Sequence, residues 1–443
     1  MTTPIMDAVN KYINRNSVRM HMPGHKGNFK GIFSEISSYD LTEITGLDSL
    51  YECDDCILRC EEEYSKIYGT KRSIISASGS TLCIQTMLAL VSQRGGKIIA
   101  GRNIHISAVN AMGLLGLEPI WIYPKQKSGT GIPGIISPDD VEKALNENSD
   151  VAAVYITTPD YFGVLSDVKT ISQICHLYNV PLLIDNAHGA GLKFLPTSLH
   201  PMDLGADMCC DSLHKTMPVF TGGAILHINN DDFIKNAKQA MSLFGTTSPS
   251  YLIMESIDMA LDYIKSGKAM EDFFFIKKQT EKLNCLAKKH GFEVPTGILD
   301  PAKFAFCFGS KGYTKAEFYK ILTKYNIEPE YMSDNYCVFM PTGFNKPSDF
   351  QAIKKLILET PAIREEATVN FLFEKGESAM SLRKALLSPK INIPLEEAEG
   401  KIAAETKSKC PPGIPLIIPG EKITKKIKKI LNSYGIFNIN VVQ

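Results

Sequence analysis

The chain has 443 residues, 44% of them hydrophobic and 22% charged, with a formal net charge of +0. That length allows two or three domains with a large core. The neutral balance gives no electrostatic reason to bind nucleic acid or an anionic membrane, and no apolar run approaches the roughly 20 residues of a spanning helix.

The N-terminus, Met1-Thr2-Thr3-Pro4-Ile5, lacks the basic and apolar regions of a secretory signal. The 11 cysteines are scattered and odd in number, which fits reduced thiols and a cytoplasmic location better than a disulfide framework. Cys53, Cys56 and Cys60 come first. Their spacing places three sulfurs on one helical face, and a buried apolar face accounts for them better than an iron–sulfur cluster. No metal site is expected.

Short apolar runs follow at 73–78, 97–100, 119–123, 152–158, 181–187, 208–212 and 224–228. Continuous rather than alternating apolar character marks strands buried on both faces. Helical patterns such as 82–92 and 138–147 separate several of them. The alternation predicts an α/β fold, a mostly parallel seven-stranded sheet with helices on both faces. Ligands of such sheets bind beyond the carboxyl ends of strands. A long helix around 248–268 then leads to a smaller unit of alternating helix and strand, with strands at 305–308 and 336–340. The last 64 or so residues, dense in Pro and Gly from Pro411 to Glu421, are expected to follow an irregular path. The expected divisions are an N-terminal segment at the active site or interface (1–45), a large cofactor-binding domain (46–268), a small α/β domain (269–379) and a C-terminal segment (380–443).

Two strand ends carry the chemistry. The run 181–187 contains Asp185 near its end, and the run 208–212 leads into Ser212-Leu213-His214-Lys215-Thr216. That pattern suits pyridoxal 5′-phosphate (PLP). Lys215 would hold the aldehyde as a Schiff base, and Asp185 would pair with the pyridine nitrogen. The phosphate would sit at the helix start after Ser78-Gly79-Ser80-Thr81, where backbone N–H groups and the helix dipole favour an anion. The hydroxyls of Ser80, Thr81 and Ser212, with His214, would donate to it. His105, after the strand at 97–100, could stack on the cofactor ring. His188, three residues past Asp185, could hold that carboxylate or approach the cofactor oxygen.

These motifs together resemble the PLP-dependent ornithine/lysine/arginine decarboxylases, a fold-type-I group related to aspartate aminotransferase. The resemblance runs through His21-Met22-Pro23-Gly24-His25-Lys26-Gly27, the phosphate turn at Ser78–Thr81 in its N-G-S/T-T form, Arg102-Asn103-Ile104-His105, and Asp185-Asn186-Ala187-His188-Gly189-Ala190. It continues through Ser212–Thr216, the segment Thr246-Thr247-Ser248-Pro249, and the stretch from Pro411 to Glu421. It implies α-decarboxylation of lysine, ornithine or arginine to a diamine or agmatine, chemistry of polyamine metabolism. Lys215, Asp185, His188 and His214 would be catalytic. Ser80, Thr81, His105, Asp185, Ala187, His188, Ser212, His214 and Lys215 would surround the cofactor. Glu421 and Thr246 would bind the substrate's distal cation, with Thr246 reaching a partner subunit's site.

Four positions depart from the family pattern: Ile106 for Lys, Asn186 for Glu, Gly222 for Gln and Cys410 for Tyr. The receiver-like N-terminal domain of the long members is absent, which points to a simple homodimer. The alternatives are another PLP reaction on this scaffold, aminotransferase or β-eliminating lyase, or a non-catalytic PLP-binding regulator. Aminotransferases usually clamp the substrate carboxylate with Arg, and Arg364 is the only arginine between 270 and 375. That favours decarboxylation.

Overall fold

The computed structural model describes residues 3–125, 132, 134–364, 374–409 and 414–443. Seven strands make one mostly parallel sheet: β1 (Arg72–Ser76), β2 (Lys97–Gly101), β3 (Glu118–Ile122), β4 (Val151–Thr157), β5 (Leu182–Asp185), β6 (Met208–Asp211) and β7 (Ala224–Ile228). Each apolar run of the sequence became a strand, within two residues at most boundaries. Strands β5, β6 and β7 are buried along their whole length. That explains why they read as unbroken apolar runs rather than alternating ones. Among the described residues no helix is long and apolar enough to cross a membrane.

By packing, the chain forms two compact units, 1–90 with 183–274, and 91–182 with 275–443. The first unit holds β1-β7-β6-β5. β5 and β6 are parallel, while β7 runs antiparallel to both β6 and β1. Helix Cys56–Tyr68 packs beside β1, with Cys56 and Cys60 buried. Cys53 lies before this helix, so the expected three-cysteine face has only two members on it. The helix start is set instead by Asp48, whose carboxylate accepts the N–H groups of Asp55 and Ile57.

Helix Tyr251–Lys265 buries two acids, Glu255 and Asp258, one turn apart. Asp258 accepts the Met6 N–H at 2.9 Å, at the start of helix Pro4–Asn14. Burial pushes the Glu255 carboxyl up to about 8 and the Asp258 carboxyl up to about 7. The unfolded chain releases these protons near pH 4. Between pH 4 and 8 the folded protein therefore binds more protons than the unfolded chain, and stability falls as pH rises through that window. Urea unfolding at pH 5.5 and 8 is expected to show a loss of about 2–4 kcal/mol in the wild type. Glu255→Gln with Asp258→Asn should flatten most of it. An equal slope in that double variant would rule out these two acids as the cause.

The second unit holds β4-β2-β3, with β2 parallel to both neighbours. It also contains a three-stranded antiparallel sheet of β8 (Phe304–Cys307), β9 (Tyr331–Met332) and β10 (Tyr336–Phe339). Phe304, Phe306, Phe308, Phe318 and Phe339 form its aromatic core. The C-terminal region is more regular than its composition suggests. β11 (Lys390–Pro394) pairs with β14 (Asn438–Val442), and β12 (Lys407–Lys409) with β13 (Ile414–Ile417). Pro415 is tolerated because a two-stranded sheet is all edge, and its lost N–H need not break a central ladder. The register shifts beside it, between Lys407 and Ser408. Pro411, Pro412 and Gly413, with Cys410, lie outside the described residues.

Candidate active site

The first unit brings most of the expected site residues together at the ends of β1, β5 and β6. β5 ends on Asp185, which is 2% exposed. Asp185 Oδ1 accepts the Ala187 N–H at 3.2 Å and lies 3.6 Å from the Cys210 thiol. These contacts fix the carboxylate against its own turn. β6 passes through Ser212 into the short helix Leu213–Thr216, which carries His214 and Lys215. Lys215 Nζ lies 3.1 Å from His188 Nε2. A lysine and an imidazole at that distance can share a proton.

His214 is held by the chain opposite. Its backbone N–H and its Nδ1–H both donate to the Gly223 carbonyl, at 3.2 and 3.0 Å. Burial, together with the neighbouring Lys215 charge, lowers the imidazole below its ordinary range, against the pull of the Gly223 bond. His214 is therefore neutral at pH 7, with its proton on Nδ1.

The turn before helix Gly79–Val91 suits an anion. Gly79 N–H donates to Gly222 O at 2.7 Å, and the Ser212 hydroxyl reaches Ser80 Oγ at 2.8 Å. A Cβ added at Gly79 would meet nothing within 4 Å, so space stays open over the first turn of the helix. Two hydroxyls, open space and the first-turn N–H groups beyond Gly79, which have no partner within an α-helix, fit a phosphate. Gly222 departs from the family's Gln for a local reason. Its φ of +100° favours glycine, and a Cβ there would press on Ile253 and the Ala77 carbonyl.

Thr246 is exposed, its hydroxyl oxygen accepting the Ser248 N–H at 3.1 Å. His105 and Glu421 belong to the second unit. His105 caps helix Ile106–Leu115, its Nδ1 accepting the Ser107 N–H at 3.2 Å, and Ile106 is simply the first residue of that helix. Glu421 is not the solvated loop carboxylate that a Pro/Gly-rich segment suggests. It is 4% exposed, and both oxygens reach Arg102 Nη2, at 3.2 and 2.9 Å. Burial raises the Glu421 carboxyl, while Arg102 and the Ile418 N–H pull it down. Arg102 is itself fully buried and packs over Trp121. Its role was hidden in sequence, where it reads only as part of a motif. Arg364 forks onto Glu317 at the surface, at 3.0 and 2.7 Å, so its guanidinium is already engaged.

An α/β sheet whose adjacent parallel strands end in a buried Asp and a Lys is the architecture of fold-type-I enzymes. Solved structures agree on the fold. Constitutive lysine decarboxylase of Escherichia coli superposes with a TM-score of 0.79 at 18% identity, over 100% of this chain and 82% of that one. Lysine decarboxylase A from Pseudomonas aeruginosa gives 0.83 at 16% identity, over 99% and 80%. The chain belongs to the Orn/Lys/Arg decarboxylase family: the major-domain model matches residues 3–392 and the C-terminal-domain model residues 377–438. It is 32% identical over 452 aligned positions to the arginine decarboxylase of Bacillus subtilis (strain 168), covering 96% of this chain and 92% of that protein. The protein is therefore an amino-acid decarboxylase.

Proposed function

We propose that this enzyme removes the α-carboxylate of a basic amino acid, arginine, lysine or ornithine, as CO2, and that PLP is its cofactor. The observation that carries the reading is the pairing of Lys215 with His188 beside the buried Asp185, within a chain of this family. When bound, PLP supplies an electron sink for the pair released as the carboxylate leaves. The protein's part is to orient and to hold charge. Lys215 Nζ would hold the cofactor through its aldehyde carbon, with the carbonyl oxygen leaving as water. Asp185 keeps a negative charge beside the ring nitrogen, in a site already organised for it. Ser80, Thr81 and Ser212 would hold the phosphate through their hydroxyls, and His214 would join them once Nε2 takes up a proton, which an adjacent phosphate anion favours; Ala187 would line the ring and His105 would stack on it. His188 holds or passes the proton of Lys215. Protonation where CO2 departed then yields agmatine or a diamine, as polyamine metabolism in a cytoplasm would use.

The test is CO2 release from arginine, lysine and ornithine by purified protein supplied with PLP. One of them should turn over well above the other two. No release from any, with amino transfer to a keto acid instead, would overturn the reading.

Substrate contacts are proposed for Glu421 and for Thr246 of a second copy. Because Glu421 already faces Arg102, a substrate cation must share its carboxylate. Glu421→Gln should then raise KM and lower kcat/KM by about 10- to 100-fold, on the order of 1.5–3 kcal/mol for a charge-assisted hydrogen bond. If Glu421 serves only Arg102, the variant will instead melt earlier with KM unchanged.

A homodimer is proposed with the segment 1–45 at its interface. Val18, Met20 and Ile32 are 86%, 87% and 86% exposed, an apolar display that a second copy would cover. Sedimentation of an active monomer would contradict it. The division into 46–268, 269–379 and 380–443 is kept on the same footing, as a proposal for limited proteolysis to test.

A further inference from the structure

Strand β6 has two working faces. Cys210 turns its thiol toward Asp185, so Cys209 and Asp211 lie on the opposite side of the sheet. There Asp211 is completely buried. Its Oδ2 lies 3.0 Å from His200 Nε2 and 3.4 Å from His227 Nε2, and its Oδ1 accepts the Asn186 side-chain N–H at 2.7 Å.

The proton positions follow from the far side of each ring. Met202 N–H donates to His200 Nδ1 at 3.3 Å, so the His200 proton is on Nε2, facing Asp211. The Ser73 hydroxyl sits 2.8 Å from His227 Nδ1 and can donate to it, which leaves the His227 Nε2 proton turned toward Asp211 at 3.4 Å, an electrostatic contact rather than a formed hydrogen bond. Other titratable groups around the cluster are the Cys209 thiol, 3.7 Å from Oδ1, and Tyr68, stacked on His227 at 4.2 Å. Lys193 contributes at longer range. His200, Cys209 and Asp211 have metal-like spacing, within 4.8 Å of one another, but N–H donors already occupy the carboxylate. Burial pushes the Asp211 carboxyl up, yet the two imidazoles outweigh it and hold the group below the usual carboxylate range. Asp211 is a buried anion.

Asn186 connects this anion to the site. It is fully buried and directly follows Asp185. Its N–H donates to Cys210 O at 3.1 Å, and its carbonyl accepts the Gly189 N–H at 2.7 Å. Its side-chain Oδ1 occupies the space of a Cβ at Gly189, 2.0 Å from where that atom would be. The turn bearing Asp185, Ala187 and His188 is thus held by its own backbone bonds and, from beneath, by the Asn186–Asp211 amide–carboxylate contact. A Glu at 186, the residue the family resemblance leads one to expect, would set a second carboxylate against buried Asp211. Asn and Asp are a matched pair here.

We propose that Asp211, clamped by His200 and His227, is a positioning residue for the cofactor site: through Asn186 it fixes the turn carrying Asp185 and His188, and it sets a permanent negative charge behind Asp185. This rests on the PLP reading above.

Three variants test it: Asp211→Asn, Asn186→Asp, and the swap Asn186→Asp with Asp211→Asn. The readouts are the pH midpoint of the bound cofactor's visible band, the PLP dissociation constant, and the melting temperature of the cofactor-free protein. Asp211→Asn removes a charge without changing shape. The midpoint should fall by roughly half a unit to one unit, and PLP affinity by about 3- to 10-fold. Asn186→Asp sets two carboxylates together and should melt markedly earlier. The swap restores one amide facing one carboxylate, so it should recover most of both losses. An unmoved midpoint and unchanged PLP affinity in Asp211→Asn would overturn the proposal, leaving the cluster as packing alone. So would a swap no better than the worse single variant. If wild-type protein given PLP shows no visible band, the cofactor reading itself fails and takes this proposal with it. A band that is present but insensitive to Asp211 overturns this proposal alone.

Discussion

Lys215→Ala is expected to abolish decarboxylation, with CO2 release falling by more than roughly a thousandfold. Lys215 sits half-buried on a four-residue helix at the end of β6, and its Nζ meets His188 at 3.1 Å. Truncation removes the only atom proposed to bond the cofactor. It leaves the backbone contacts of that helix in place, including Lys215 N–H to Ser212 O at 3.0 Å and Met217 N–H to Leu213 O at 2.8 Å. The variant should therefore fold and melt near the wild type. The measurement is direct: wild-type protein with PLP, treated with borohydride, should keep a covalent label after unfolding, and peptide mapping should place it at Lys215. The variant should retain none. A label on another lysine, or turnover surviving in Lys215→Ala, would sink the assignment.

Sequence disclosed the parts of this protein that local rules control. The strands buried on both faces could be read because their runs are mostly apolar, and β5 and β6 stood out because Asp185 lies near the end of one such run and Lys215 three residues past the other. The helix start proposed for the phosphate could be placed because Gly79, Ser80 and Thr81 come just after an apolar strand run and open the next helix. What stayed hidden depends on distant partners. Arg102 and Glu421 are 319 residues apart, and nothing local in either segment implies that each buries the other's charge. Nothing in the sequence around Asp211 points to its partners. Only the fold shows it meeting His200, His227 and Asn186. Cys53 was misplaced for a different reason: periodicity suggested one continuous helical face, while Asp48 starts the helix three residues later. At the C-terminus, Pro and Gly density predicted irregular chain. The strands β12 and β13 form there because an edge pairing tolerates Pro.

Asp185→Asn should lower kcat by about 10²- to 10⁴-fold, some 3–5 kcal/mol of barrier at 1.36 kcal/mol per tenfold. The substitution keeps shape. Asn Oδ1 can still accept the Ala187 N–H, and the turn above Asn186 need not move. What disappears is the charge. An electron pair released toward the ring is stabilised only while the ring nitrogen stays protonated, and a neutral amide does not hold that proton as a carboxylate does. Cofactor capture is proposed to rely on other groups, the Ser80 and Ser212 hydroxyls and the open helix start at Gly79. PLP affinity should accordingly weaken by less than about tenfold while turnover collapses. This separation makes the variant informative. Loss of PLP binding would mean that Asp185 shapes the pocket rather than tuning the ring. Near-wild-type turnover would mean that the ring nitrogen is held by another residue, and the buried carboxylate at the end of β5 would then need a structural explanation instead.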